Sequence, residues 1–264
     1  MSCAVINALK EGLSYVKVID AGWPLDIKTQ SWVEDTENQV DFIVKTLALS
    51  GHERILDLAC GFGRHSLSLA RRGFSVVGVD LTKAFVEDAR QSAKDSGLAV
   101  EFIHMDILDL QYENEFDVVL NLADGAIGYS EGEQENLHIF DIVARALKYN
   151  GKHFMDVCNA EHAEQFFPKR HWDIGAKALS LPEFDWDPIR RRMLFTDWTI
   201  AFGEVAMRPE HIAKDNKGVR LYSEAELAGI LAEREMQIVQ TFSNYYGKPA
   251  TPKELQLIVY SIKA

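Results

Sequence analysis

Short apolar segments alternate with helical patterns along most of the chain, and this alternation restricts the fold more than any other feature of the sequence. The apolar segments are nearly continuous, which is typical of parallel strands buried on both faces of a sheet. We therefore predict an α/β fold with a doubly wound, Rossmann-like sheet. Strands are expected at 54–58, 74–79, 100–104, 116–120, 152–157, 236–242 and 255–262, and helices at 34–49, 64–72, 82–96 and 137–147. Asn150 and Gly151 are expected to end the last of these helices.

The alternation is interrupted once, over residues 160–218. Short alternating segments rich in aromatic residues predict inserted antiparallel strands there. The first pattern then resumes, because Ser223 and Glu226 have the spacing of a capping box that begins another helix. The sequence contains no internal repeat and no linker, so we expect one domain that carries an inserted subdomain.

Charge and cysteine content argue against several classes of function. The net charge of −12 gives a surface that repels nucleic acid and anionic membranes. Arg190, Arg191 and Arg192 are a candidate basic patch, but a solvated strand face explains them better. Three scattered cysteines fit a reducing cytoplasm, and no segment reaches the roughly 18 apolar residues that span a membrane. We expect a cytoplasmic protein that acts on a small molecule, and a homodimer stays open.

A glycine-rich loop follows the first predicted strand, where ligands bind in open α/β sheets. It carries Gly61 and Gly63, and two phosphate-binding patterns match it poorly. The P-loop pattern G-x-x-x-x-G-K-S/T fails because no lysine follows Gly63. The dinucleotide pattern G-x-G-x-x-G is weak because Ala59 precedes the two glycines and no third glycine follows. A nucleoside cofactor without phosphates is the third interpretation.

Two acidic residues support the nucleoside interpretation. Asp80 ends the second strand, 19 residues after Gly61, where its carboxylate can accept hydrogen bonds from both hydroxyls of a ribose. It would serve the ribose of a nicotinamide cofactor equally well. Asp106 follows the third strand, where it can accept a hydrogen bond from an adenine amino group. Each acid alone could cap a helix or lie in a loop, but the ordered set favours a nucleoside.

The ordered segments at 76–82, 102–106, 116–121 and 146–154 resemble the motif series of class I S-adenosylmethionine-dependent methyltransferases. The resemblance covers about residues 53–158, is closest to the small-molecule branch with a β insertion before the last helix, and includes the tail. It implies seven strands in the order 3-2-1-4-5-7-6, with the last strand antiparallel. It also implies one domain over 1–264, made of an N-terminal helical lid (1–50), a cofactor-binding core (51–159), a substrate-side insertion (160–218) and the completion of the core (219–264).

The resemblance implies S-adenosyl-L-methionine as the cofactor and names the residues that would hold it. The glycine loop would surround the methionine and ribose, the ends of the second and third strands would hold ribose and adenine, and the end of the fourth would meet the methionine end. The residues are Asp57, Ala59, Gly61, Gly63, Arg64, Asp80, Leu81, Asp106, Ile107, Asn121 and Ala123. Ala59 departs from the family's commoner glycine, which is expected to strain only the first turn of the loop.

The loop after the fourth strand is the candidate site of methyl transfer. It lacks the prolines of the D/N-P-P-Y/F motif, which counts against amide and exocyclic-amine targets. Asp124 could orient a substrate amine or act as a base, and Tyr129 could close the site or donate a hydrogen bond. Substrate contacts are expected from Trp23, Trp32, His171, Trp198, Arg220, Tyr222 and Tyr245, although packing explains any one of them. Arg220 is expected to have a carboxylate partner, from substrate or protein, and no metal is expected.

These features predict transfer of a methyl group to N, O or C of a small molecule. An S-adenosylmethionine cyclase or lyase that releases methylthioadenosine stays open, because no general base is obvious. A non-catalytic cofactor-binding subunit is a second alternative, and the intact set of acidic and glycine residues argues against it. A nicotinamide-dependent dehydrogenase is the weakest alternative.

Overall fold

The computed structural model describes residue 28 and residues 31–174, 178–196, 199–203 and 218–264. Its helices are α1 (Ser31–Glu34), α2 (Thr36–Thr46), α3 (Arg64–Arg71), α4 (Lys83–Asp95), α5 (Glu133–Ala146), α6 (Ala160–Phe166) and α7 (Glu224–Ala232). Its strands are β1 (Arg54–Leu58), β2 (Ser75–Asp80), β3 (Val100–His104), β4 (Phe116–Asn121), β5 (Leu147–Cys158), β6 (Lys169–Arg170), β7 (Asp173–Ile174), β8 (Ala178–Ser180), β9 (Glu183–Asp187), β10 (Arg192–Thr196), β11 (Thr199–Ala201), β12 (Val219–Arg220), β13 (Met236–Phe242) and β14 (Gln256–Lys263).

The central sheet has seven strands in the order β3-β2-β1-β4-β5-β14-β13. Strands β1 to β5 run parallel, and β14 is antiparallel to both of its neighbours, β5 and β13. The last strand of the chain is therefore inserted between the fifth strand and the strand that precedes it. This order confirms the predicted 3-2-1-4-5-7-6 arrangement and the predicted Rossmann-like fold class.

Helices cover both faces of this sheet, as the near-continuous apolar strands predict. On one face, Val40 and Ile43 of α2 pack with Ile55 of β1. On the other face, Phe140 of α5 and Leu227 of α7 pack with Leu56, the next residue of β1. Because successive strand residues point to opposite faces, a strand buried on both sides must be apolar at nearly every position.

Two smaller antiparallel sheets form from the predicted insertion at 160–218 together with β12, which lies just beyond it at 219–220. One has the order β12-β10-β9-β6 and the other β11-β8-β7. The insertion also begins with a helix, α6, which the sequence analysis did not predict. Asn159 caps that helix by accepting a hydrogen bond from the backbone N–H of Glu161, and Ala160 and Ala163 are on its buried face. The neighbouring phenylalanines hid this short amphipathic turn in the sequence pattern.

The observed ends of two other helices can be compared with the ends predicted from the sequence. The capping box of α7 is confirmed, since Ser223 and Glu226 bond each other's backbone N–H groups. The expected stop at Asn150 and Gly151 is wrong, because α5 ends at Ala146 and β5 begins at the next residue. Pairing of Leu147 with Phe116 of β4 extends β5 backwards past the Asn-Gly pair. Among the described residues, no helix has the length and apolar character needed to cross a membrane.

Candidate functional site

Three carboxylates share one face of the central sheet at the carboxyl ends of its parallel strands. In the register of the sheet, Asp57 of β1 is level with positions 78 of β2 and 154 of β5. Asp80 and Asp156 follow two residues later on their own strands, and side chains two residues apart point to the same face. The strands thus bring Asp57, Asp80 and Asp156 to one edge, where open α/β sheets bind their ligands.

The loop from β1 to α3 turns through left-handed backbone. Ala59, Gly61 and Gly63 have φ values of +54°, +57° and +75°. A Cβ atom on Gly63 would lie 2.6 Å from the ring of Phe102, so only glycine fits there. Ala59 holds a conformation that costs an ordinary residue about 1–2 kcal/mol, consistent with the expected strain in the first turn.

Asp80 fixes this loop through backbone hydrogen bonds. Its Oδ2 accepts from the N–H of Gly61 at 2.8 Å, and its Oδ1 accepts from the N–H of Thr82 at 2.7 Å. Burial raises the pKa of the carboxyl, and these two hydrogen bonds oppose the rise. Each carboxylate oxygen has a second lone pair, so Asp80 keeps the capacity to accept hydrogen bonds from a ligand.

Asp57 lies at the centre of the edge, beside the start of α3. The hydroxyl of Ser66 donates to its Oδ2 at 2.5 Å. Burial raises the pKa of Asp57 to about 6, against the lowering effects of Ser66 and of the Arg64 guanidinium. Arg64 itself donates to Thr36 at 2.8 Å and to Gln39 at 2.7 Å, so its side chain joins the loop to α2.

The loops after β2 and β3 hold the remaining residues predicted for the nucleoside. The carbonyl of Leu81 lies 2.9 Å from Nε2 of His104. Asp106 caps a short 3-10 turn at Ile107–Asp109, since its Oδ1 accepts from the N–H of Leu108 at 3.0 Å. Ile107 is buried in the core. The structure therefore places these residues at the predicted edge, with Asp106 in a capping role.

The loop after β4 forms a left-handed turn. Ala123, Asp124, Gly125 and Ala126 have φ values of +52°, +70°, +51° and +65°. The side-chain amide of Asn121 stabilises the turn by donating a hydrogen bond to the carbonyl of Gly125 at 2.9 Å. Such backbone is sparsely populated outside glycine and needs surrounding contacts to persist.

Buried side chains complete the support of this turn. Nε2 of His153 lies 3.1 Å from Oδ1 of Asn121, and burial lowers the pKa of His153 to about 3, so the imidazole is neutral. The side chain of Asn121 is thus hydrogen-bonded inside the protein. A contact between the backbone of Asn121 and the cofactor stays a prediction. Ala123 is exposed at the start of the turn.

The turn brings the two predicted catalytic residues together. The hydroxyl of Tyr129 donates to Oδ2 of Asp124 at 3.4 Å. Burial raises the pKa of Asp124, opposed by hydrogen bonds from Cys158 and Tyr129. The backbone N–H of Asp124 donates to the carbonyl of Asp156 at 2.8 Å, which joins the turn to the end of β5.

Asp156 was not among the residues predicted from the sequence. The hydroxyl of Tyr245 donates to its Oδ2 at 2.8 Å, and Nε2 of Gln256 lies 3.1 and 3.0 Å from its two oxygens. Burial raises the pKa of Asp156 to about 7; Asp124 adds to the rise, and the hydrogen bonds oppose it. The sequence did offer a signal, because an acidic residue near the end of the fifth strand corresponds to Asp80 at the end of the second strand. Tyr245, predicted as a substrate contact, therefore lies at the site.

The insertion holds the same loop from the other side. Arg192 of β10 is buried, and its guanidinium donates to the carbonyls of Gly128 and Ser130 at 3.2 Å and of Gly218 at 2.7 Å. The N–H of Arg220 donates to the carbonyl of Gly128 at 2.8 Å. A Cβ atom on Gly128 would lie 2.0 Å from the carbonyl oxygen of Arg220, so glycine is required at this crossing.

Two other predicted substrate contacts lie between β12 and α7. Arg220 is ion-paired with Glu226 at 2.7 Å and Glu133 at 3.5 Å, so its expected carboxylate partner comes from the protein. Its guanidinium packs over the ring of Tyr222 at 4.3 Å. Tyr222 is buried, and its hydroxyl donates to Glu133 at 3.4 Å.

One of the remaining predicted contacts, His171, is not part of this cluster. His171 is exposed on the insertion, where its N–H donates to the carbonyl of Pro182. Trp32 belongs to α1, and Trp23 and Trp198 lie outside the described residues. Across the described ranges, no three His, Cys, Asp or Glu side chains are grouped in a way that could hold a metal ion.

Comparison with known proteins identifies the core of the chain. Residues 55–151, from β1 into β5, match the family model described as a methyltransferase domain. These residues are therefore similar to a methyltransferase domain. The domain contains the glycine loop, Asp57, Asp80, Asp106 and the turn at Asp124, whereas Asp156 and Tyr245 lie outside the matched residues.

Proteins with similar sequences are also named methyltransferases. The putative methyltransferase YqeM of Bacillus subtilis is 33% identical over 116 residues, which are 44% of this chain and 46% of that protein. A 23S rRNA (uracil(1939)-C(5))-methyltransferase, RlmD of Shewanella sediminis, is 44% identical over 72 residues, 27% of this chain and 16% of that protein. The chain thus spans about half or less of the length of these relatives.

A solved structure extends the likeness beyond the methyltransferase domain. It is an S-adenosylmethionine-dependent methyltransferase from Clostridium acetobutylicum, with a TM-score of 0.72 and 18% identity over 89% of this chain and 96% of that chain. This likeness shows the fold. Asp80 lies beside the glycine loop and keeps free lone pairs that can accept hydrogen bonds from ribose hydroxyls, so the residues present fit S-adenosylmethionine.

Proposed function

We propose that this chain transfers a methyl group from S-adenosylmethionine to a small-molecule acceptor. One observation carries the proposal: a methyltransferase domain brings Asp80, the glycine loop, Asp57 and Asp124 to one edge of the sheet. They follow the order in which a nucleoside, its amino-acid chain and an acceptor would lie.

The cofactor residues have separate tasks in this proposal. Asp80 accepts hydrogen bonds from the ribose hydroxyls, each worth about 1.5–3 kcal/mol to a charged acceptor. Leu81, Asp106 and Ile107 hold the adenine, and the loop from Ala59 to Gly63 admits the methionine portion beside Asp57. The bound cofactor supplies a methyl carbon already activated for displacement.

The acceptor residues then align the nucleophile and exclude water. Alignment alone can supply several kcal/mol, so what this end of the site must provide is position, together with a place for any proton released. Tyr129 bonds Asp124, Tyr245 bonds Asp156, and the backbone bond from Asp124 to Asp156 joins the two pairs at the end of β5. The insertion, which Arg192 joins to the same loop, covers this end.

Charge supports a small acceptor rather than a nucleic acid, and the few scattered cysteines support the cytoplasm. The net charge is −12, and the candidate basic patch is neutralised within the protein. Arg190 is paired with Asp187, Arg191 with Glu164 and Glu226, and Arg192 with backbone carbonyls. The name of RlmD states that it methylates 23S rRNA, but its similarity covers only 27% of this chain.

Two linked assays test the proposal. In the first, calorimetric titration with S-adenosylmethionine and S-adenosylhomocysteine is expected to show binding of both. In the second, mass spectrometry follows S-adenosylmethionine incubated with the protein and a small-molecule extract, and we expect S-adenosylhomocysteine to form. Methylthioadenosine as the product would instead establish a cyclase or lyase. Failure of both compounds to bind would refute the proposed function.

A further inference from the structure

The glycine loop is held at its two ends by different elements. Near its start, Asp80 accepts a hydrogen bond from the N–H of Gly61. At its end, Gly63 begins α3 in a left-handed conformation and has no side chain that could cap the helix. The first turn of α3 therefore takes its position from contacts with other elements, one of which is the bond from Ser66 to Asp57.

Helix α2 supplies further contacts of this turn through Gln39. Its Oε1 accepts from Nη1 of Arg64 at 2.7 Å and lies 2.8 Å from Nε2 of His65. Because a guanidinium only donates hydrogen bonds, the atom that meets Arg64 must be the amide oxygen. Burial lowers the pKa of His65 well below its ordinary value, so the imidazole is neutral. His65 therefore carries its proton on Nε2 and donates it to the same oxygen.

This cluster is buried, and the helix that supplies the acceptor is anchored in the core. Gln39 and His65 are 8% and 5% exposed, so water has little access to replace the amide oxygen. A buried donor that loses its partner is costly. Val40 and Ile43, which follow Gln39 on α2, pack with the central sheet. Helix α2 is thus a fixed support against which the first turn of α3 is held.

We propose that Gln39 is a positioning residue for the binding of S-adenosylmethionine. This inference rests on the proposed function and gives α2 a part in the cofactor site. One amide oxygen fixes Arg64 and His65, which holds Gly63 and the loop before it in the conformation that admits the cofactor. Gln39 acts through the loop and not by touching the cofactor. Without its oxygen the loop populates other positions, and the measured affinity falls with the fraction of molecules that keep the competent one.

Calorimetric titration with S-adenosylhomocysteine tests this role. Each variant is titrated well below its unfolding temperature, so that a loss of stability alone leaves the affinity unchanged. For Gln39→Leu we expect an affinity about tenfold below that of wild type, because His65 loses its acceptor and Arg64 loses one of its acceptors. Gln39→Glu places carboxylate oxygens at nearly the same point and is expected to restore the affinity to within about threefold of wild type.

Two more variants of α2 complete the series. Thr36→Val removes another acceptor of Arg64, whose Nη1 lies 2.8 Å from the hydroxyl, with little change in volume. We expect it to lower the affinity about threefold. Asp41→Asn is the control, because Asp41 is exposed on the same helix and bonds Arg72 at the opposite end of α3. Its affinity should stay within about twofold of wild type.

The outcomes separate this inference from the proposed function. A loss of affinity in Gln39→Leu that Gln39→Glu restores and Asp41→Asn does not share supports the positioning role. Wild-type affinity in Gln39→Leu, or an equal loss in Gln39→Glu or Asp41→Asn, overturns that role but leaves the methyltransferase proposal intact. If Gln39→Leu does not fold, Thr36→Val decides in its place, and wild-type affinity in that variant overturns the role. Failure of the wild-type protein to bind S-adenosylhomocysteine overturns both.

Discussion

The two ends of the strand edge hold their carboxylates in different ways. At the cofactor end, Asp80 is bonded by Gly61 and Thr82, which lie 19 and 2 residues away along the chain. At the acceptor end, Asp156 is bonded by Tyr245 and Gln256, which lie 89 and 100 residues away. The cofactor end is therefore built from local motifs, whereas the acceptor end depends on elements that only the complete fold brings together.

This difference separates two kinds of change. A substitution at the cofactor end should alter affinity for S-adenosylhomocysteine directly. A substitution in the contacts of the acceptor end should alter the loop or the protonation of its carboxylates first. The four variants below examine that division.

The largest effect is expected for Asp80→Ala. The variant loses the acceptor for two ribose hydroxyls and the hold on the Gly61 loop, which together correspond to a loss of affinity of about a hundredfold or more. Calorimetry with S-adenosylhomocysteine measures it. Asp109→Ala, an exposed acid near the same edge, is the control and should bind as wild type. Equal affinities for the two variants would contradict the assigned role of Asp80.

Arg192→Met comes next, because it leaves backbone carbonyls of the Gly128–Ser130 region without their buried donor. We expect a loss of about 2–4 kcal/mol in the free energy of unfolding, together with faster amide hydrogen exchange in the loop after β4. Arg190→Met is the matched control. That arginine is exposed and paired with Asp187, so its loss should cost less than about 1 kcal/mol. A similar loss of unfolding free energy in both variants would contradict the conclusion that Arg192 of the insertion holds the loop after β4.

Gly63→Ala isolates the close approach in the glycine loop. Gly63 and Gly97 both have positive φ, but only a Cβ at Gly63 meets a neighbour. Gly97→Ala should lower the free energy of unfolding only by the cost of left-handed backbone, about 1–2 kcal/mol. Gly63→Ala should lose a further 1–3 kcal/mol or so from overpacking against Phe102. Urea unfolding of the two variants measures the difference, and equal losses would show that Phe102 yields without cost.

The smallest effect is a pH dependence of stability at Asp156. The pKa of this group is about 7 in the folded protein and has an ordinary value of 3.8, so the folded state binds more protons between these values. Stability therefore falls as the pH rises through this range, and Asp156→Asn removes the fall. Relative to wild type, we expect the variant to gain about 1–2 kcal/mol between pH 5 and pH 8.

Asp117→Asn serves as the comparison for that pH series. Asp117 lies at the opposite end of β4, where Lys148 and the N–H of Arg54 bond it and its pKa is lowered. Both of its pKa values lie below pH 5, so its loss should shift stability equally at pH 5 and pH 8. A constant offset for both variants would show that Asp156 is not desolvated in the folded protein.

The sequence predicted the cofactor end better than the acceptor end, for the same physical reason. Gly61, Gly63 and Asp80 are recognisable because a strand, a turn and the next strand place them with local spacing. The sheet order followed from a resemblance, and the structure confirms it. The contacts of Asp156 and Arg192 have no local sequence pattern, because their partners lie far away in the chain. The helix α6 was missed because it has only seven residues and aromatic residues at its end favoured a strand pattern.

A crystal structure with S-adenosylhomocysteine bound tests the arrangement most directly. We expect the ribose hydroxyls within hydrogen-bond distance of Asp80, the homocysteine portion against the loop that contains Gly61, and the sulfur directed toward Asp124 and Asp156. A nucleoside bound in the reverse direction, or at another surface of the protein, would contradict the order of cofactor and acceptor along the strand edge.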